Sequence, residues 1–114
     1  MPVSILKQRH YLIASVQSAL TDGEVLELRD ALLAELAKHR SRGIIIDVAA
    51  LDVIDSFVAR SLMTVARTGR LRGAKTVIVG IQPEVAVAMS YFGLGLEAVD
   101  TALDLEAGIE LLDR

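Results

Sequence analysis

The spacing of apolar positions changes several times along this chain, and each change marks an element. Val3 to Lys7 and Tyr11 to Val16 are short apolar-rich runs separated by the polar Gln8-Arg9-His10. A connection that short joins strands antiparallel, so the pattern predicts a hairpin. From Thr21 the period lengthens, with Val25, Leu28, Leu32 and Leu36 recurring at helical spacing. Thr21 followed three residues on by Glu24 is a capping-box pattern and sets the start of a helix running to about His39. Acids in its first turns (Asp22, Glu24, Glu27) and bases at its end (Lys38, His39, Arg40, Arg42) suit the helix dipole.

Ile44 to Val48 shows no polar alternation, which predicts a central strand covered on both faces. A second helix is expected from about Phe57 to Arg70, its apolar stripe being Val58, Leu62, Val65 and Ala66. Gly73-Ala74-Lys75 turns the chain into a second buried strand, Thr76 to Val79. Pro83 stands near the first turn of a third helix, Glu84 to Phe92, which ends at Gly93 as a left-handed cap. A short strand is placed at Glu97-Ala98-Val99, and Thr101 or Asp104 caps a last helix to about Leu112. The order β-β-α-β-α-β-α-β-α predicts an α/β fold. Its mixed sheet has an antiparallel N-terminal hairpin followed by parallel strands, covered by about four helices.

Composition narrows the function. A chain of 114 residues without a long polar tract reads as a single domain, 1–114. It has no Cys, and His10 and His39 lie far apart, so neither thiolate nor His-based metal sites are expected. A net charge of -3 does not suit a nucleic-acid binder. The N-terminus lacks signal-peptide character, and no apolar run approaches the ~20 residues of a membrane span, so a cytoplasmic protein is expected. An apolar content of 53% is high for a small monomer. Either an Ala- and Leu-rich core accounts for it, or apolar surface is covered by other subunits.

The richest stretch chemically is Gly43–Arg60, where a buried strand leads to Asp47, Asp52, Asp55 and then Ser56. GxGxxG, GxxxxGK[ST] and GxSxG are all missing. A receiver-type Mg²⁺ site would need acids after the first strand too, and Met1 to Val16 has none. No catalytic residue, cofactor site or metal site is therefore assigned. Asp47 is read as ending its strand by accepting backbone amides, and Asp52 as solvated. Ser56 stands where strand gives way to helix. A serine there can cap the helix, and Asp55 immediately before it competes for that role.

With these residues in view, IIIDVAALDVIDSFVARSL followed by LRGAKTVIVGIQPEVAVAMSYFGL resembles the STAS fold of anti-sigma-factor antagonists. IDSF, GAK, GIQP and the tail TALDLEAGIELL resemble its RsbS-like group, the single-domain scaffolds of the stressosome. The resemblance implies that Ser56 is the phosphoacceptor and Asp55 the acid before it. Around them, Asp52, Phe57 and Arg60 would form the partner-binding neighbourhood, with Arg60 on the same helical face as Ser56. Implied partners are an RsbT-like serine kinase, RsbR-like sensor paralogues and an RsbX-like phosphatase, with self-association in a large assembly. Thr21 is the nearest match to a second phosphosite of the paralogues and is read as a cap only. Two alternatives remain: an anti-anti-sigma factor that binds an anti-sigma kinase directly, and a small-molecule-binding module.

Overall fold

The computed structural model describes residues 3–93 and 99–114. Strands β1 (Val3–Gln8) and β2 (Tyr11–Val16) pair antiparallel through a two-residue turn. Arg9 in that turn has a φ of 56°, the left-handed conformation that tight hairpins require. Helix α1 (Asp22–Lys38) opens with the expected capping box: Thr21 accepts from the Glu24 amide while Glu24 accepts from the Thr21 amide. Then follow β3 (Gly43–Asp47), α2 (Ser56–Leu71), β4 (Lys75–Val79), α3 (Pro83–Tyr91), β5 (Asp100–Ala102) and α4 (Leu105–Asp113). Pro83 occupies the first turn of α3, and Gly93 beyond its end has a φ of 68°.

The strands lie in the order β1-β2-β3-β4-β5, parallel from β2 onward. Each crossover therefore advances one strand in the same direction, and crossovers of one hand put their helices on one face. The core agrees. Leu12, Ala14, Val16, Ile44, Ile46 and Ile78 share a cluster with Leu28, Leu32 and Leu36 of α1, Leu62 and Val65 of α2, and Val85 and Met89 of α3. The alternate strand positions Ile13, Ile45, Val77 and Val79 face the other way and are covered by Ile109, Leu111 and Leu112 of α4. Among the described residues, three helices thus cover one face of the sheet and a single short helix covers the other.

The fifth strand departs from the sequence reading, and the choice of cap for the last helix is decided. Of the strand placed at Glu97-Ala98-Val99, the first two residues lie outside the described residues, and Val99 is buried but not in a strand. The fifth strand forms at Asp100–Ala102, where Val77, Ile78 and Val79 offer a parallel ladder. The last helix is capped by Asp104, whose carboxylate accepts from the Ala107 amide; Thr101 lies in β5.

Candidate functional site

The loop from β3 to α2 leaves the C-terminal end of the sheet and is anchored from within. Val48, Leu51 and Ile54 turn inward and are buried, while Asp52, Val53 and Asp55 face solvent. The Val48 amide donates to the Val79 carbonyl (3.1 Å), extending the β3–β4 ladder, and the Leu51 amide closes a turn onto Val48 (2.9 Å). The Asp47 carboxylate accepts from the Ala49 amide (3.0 Å), and Gln82 Nε2 donates to the Ala49 carbonyl (2.8 Å). Gly80 lets the two loops approach: its φ is 76°, and a Cβ there would meet the Ala49 Cβ at 2.8 Å. The loop is held on both sides.

At its end, Asp55 is the N-cap of α2. Its backbone is extended (φ -109°, ψ 174°), and its Oδ1 accepts from the Val58 amide at 2.9 Å. Ser56 is therefore the first residue inside the helix and not its cap, which decides for Asp55 between the two caps the sequence left open. The carboxylate wins because a charged acceptor makes the stronger bond at the positive end of the helix. The Ser56 side chain is half-buried and makes no hydrogen bond among the described residues, and as the first two helical residues after the cap Ser56 and Phe57 have amides with no intrahelical acceptor.

Asp52, Val53 and Asp55 stand exposed around Ser56, and Phe57 is half-buried beside it. Val53 is 64% exposed, unusual for an aliphatic side chain beside a core loop. With Ala19, Leu20, Leu51, Ile54 and Val58 it lines a shallow apolar crevice between the β2–α1 and β3–α2 loops. Arg60, one turn into α2, is exposed, and no acid among the described residues lies within ion-pair distance of it. Among the described residues no cluster of three His, Asp or Glu has the geometry of a metal site. No helix among them is long and apolar enough to cross a membrane.

The STAS domain family matches residues 3–106. The chain belongs to the STAS-domain family. It is 35% identical over 91 residues, 76% of its length, to the RsbT co-antagonist protein RsbRA of Bacillus subtilis. It is 31% identical to RsbRC of the same organism over 68% of the chain. It spans only about a third of those relatives: 33% of RsbRA and 27% of RsbRC. Among solved structures it is similar to a serine-to-glutamate variant of RsbS from Moorella thermoacetica. That match has a TM-score of 0.89 at 34% identity and covers 99% of this chain and 96% of the other. A chain of the stressosome structure superposes with a TM-score of 0.80 at 32% identity, covering 96% of each. Chains of the anion transporter SLC26A9 share the fold at 14–15% identity.

Several features of this STAS domain escaped the sequence reading. The inward Val48, Leu51 and Ile54 were visible as an apolar period of three through VAALDVI, which a loop reading passes over. The Gly80–Ala49 approach and the Gln82 tie join positions some thirty residues apart and leave no local signal.

Proposed function

We propose that this STAS domain is a non-enzymatic phospho-switch scaffold, an RsbS-like antagonist, whose switch residue is Ser56. On this reading the unphosphorylated domain holds an RsbT-like serine kinase and releases it once Ser56 is phosphorylated. The observation that carries the proposal is the division of roles at the start of α2. Asp55 caps the helix, so the neighbouring hydroxyl is free for chemistry on a loop tied down at Asp47, Ala49 and Leu51. Two further facts support it: the chain resembles proteins called RsbT co-antagonists, and a solved RsbS relative carries a serine-to-glutamate change.

The mechanism is electrostatic. A phosphoryl group adds about −1.5 to −2 charges at neutral pH. On Ser56 it lies against the open amides of Ser56 and Phe57 at the positive end of α2, so the modified fold is locally tolerated. Arg60 lies four residues on, within reach of a charge-assisted bond, while Asp52 and Asp55 repel the new charge. The loop stays in place and the negative potential over the crevice deepens. A kinase seated on Val53, Leu20 and the acidic rim loses its fit to that surface without any unfolding. An RsbX-like phosphatase would reset the switch, and RsbR-like paralogues and further copies of this chain would provide the assembly.

The test is calorimetric titration of the RsbT-like kinase into wild-type, Ser56→Ala and Ser56→Asp protein. The proposal expects wild-type affinity for Ser56→Ala and at least a tenfold loss for Ser56→Asp, about 1.4 kcal/mol. Equal affinity for all three overturns it. Light scattering with and without an RsbR-like paralogue separates the scaffold from an anti-anti-sigma factor, which stays small in both conditions.

A further inference from the structure

At the opposite end of the sheet, where the parallel strands begin, three connections meet around a cavity of about 360 Å³. The β1–β2 turn contributes His10, the α1–β3 connection His39, Arg40, Ser41 and Arg42, and the end of α2 Arg72. No carboxylate lines it. Glu35 pairs with the lining His39 at 3.1 Å, and Asp113 accepts from the Tyr11 hydroxyl. No acid among the described residues lies within ion-pair distance of Arg40, Arg42 or Arg72.

The frame around these cations is rigid. The Arg42 amide donates to the His10 carbonyl (2.7 Å), and the Arg42 carbonyl accepts from the Lys75 amide (3.0 Å), so one residue ties all three connections together. The Ala74 amide closes onto Gly69 (2.8 Å) behind Arg72. Ser41 is 8% exposed, and its hydroxyl has no hydrogen-bond partner among the described residues. Bases that complement helix C-termini explain Lys38 and Arg70. They do not explain Arg42, which lies past the helix, nor a buried hydroxyl left unpaired, which ordinarily destabilises a fold.

We propose that this basic cavity is a binding site for a phosphate-type oxyanion, either inorganic phosphate or the phosphate group of a small phosphorylated molecule. Guanidinium groups suit that chemistry because their planar N–H pairs match two oxygens at once. A small protein with net charge -3 gathers these cations against its overall charge. The cavity is remote from Ser56, so its occupancy is independent of the switch reading.

The test is a titration of the ¹⁵N-labelled full chain with sodium phosphate and, separately, with ADP, each at matched ionic strength in sodium chloride. Saturable shifts are expected at the amides of His10, Ser41, Arg42 and Gly73. In Arg42→Gln/Arg72→Gln the dissociation constant should rise roughly tenfold or more, as loss of charge-assisted bonds requires. Ser41→Ala should weaken binding without lowering the melting temperature. Equal affinity for both probes assigns the site to free phosphate; tighter ADP binding with additional shifts assigns it to a phosphorylated small molecule. Non-saturating shifts, shifts reproduced by chloride alone, or wild-type affinity in the double variant overturn the proposal. Saturable binding of an acidic peptide with none of phosphate overturns it as well.

Discussion

With the Val58 amide satisfied by the Asp55 carboxylate, the Ser56 hydroxyl has no structural task among the described residues. The two side chains are therefore expected to respond differently to removal. Asp55→Ala should cost about 1 kcal/mol of stability in chemical denaturation, the usual loss for a cap. Ser56→Ala should stay within about 0.5 kcal/mol of wild type. The reverse order would return the cap to Ser56. Tyr11 offers a pH-dependent counterpart. Its hydroxyl donates to Asp113, and this bond, reinforced by desolvation and the Asp113 charge, raises its pKa above the ordinary 10.0. A folded pKa above the unfolded one stabilises at neutral pH, and that contribution disappears as pH rises through the folded value. In a Tyr91→Phe background, tyrosinate absorbance should show a midpoint above 10.0, and Asp113→Ala should lower it. At this scale the sequence was informative where one pattern had one solution. Thr21 with Glu24 could only be a capping box, whereas adjacent Asp55 and Ser56 are both good caps and periodicity does not separate them.

Helix α4 sits on its face of the sheet because Gly108 lets it come close. A Cβ there would stand 2.7 Å from Val79 Cγ1, within backbone-anchored packing that has little room to give. Gly108→Ala should therefore cost about 1–3 kcal/mol and speed hydrogen exchange in β3 and β4, which α4 covers. Gly80→Ala combines a close Ala49 contact with a left-handed φ of 76°. It should destabilise by a similar ~1–3 kcal/mol and, on the proposed reading, also weaken kinase binding, because it shifts the loop that carries Ser56. Unchanged kinase affinity in that variant would show the loop to be placed by its other ties. Most elements were legible from period and cap signals, down to the four leucine and valine positions of α1. The fifth strand was not, because a three-residue edge strand is held by its ladder to β4 and carries little propensity of its own. Nor did alternation reveal that α1, α2 and α3 share one face, which depends on strand order.

Across the whole domain, that shared face sets the electrostatics. All parallel strands end at one pole, so the helix N-termini and their acids gather there: Asp22, Glu24, Asp55, Glu84, Asp104 and Glu106. Lys38, His39, Arg70 and Arg72 collect at the other pole. On the proposed reading, phosphorylation at Ser56 would add charge to a pole that is already negative. Kinase association should then depend on salt, with added salt narrowing the difference between unmodified and phosphorylated protein in stopped-flow measurements. An affinity ratio independent of salt would assign release to steric exclusion alone. The one-directional strand order also bears on how the domain is made. Strands leave the ribosome in the order in which they stand side by side, so each βα unit can dock on the one just completed. The exception is α4, which follows every strand that it covers. Until α4 arrives, Ile13, Ile45, Val77 and Val79 present a bare aliphatic surface, so a nascent chain stalled before Leu105 is the species most exposed to chaperones and to self-association.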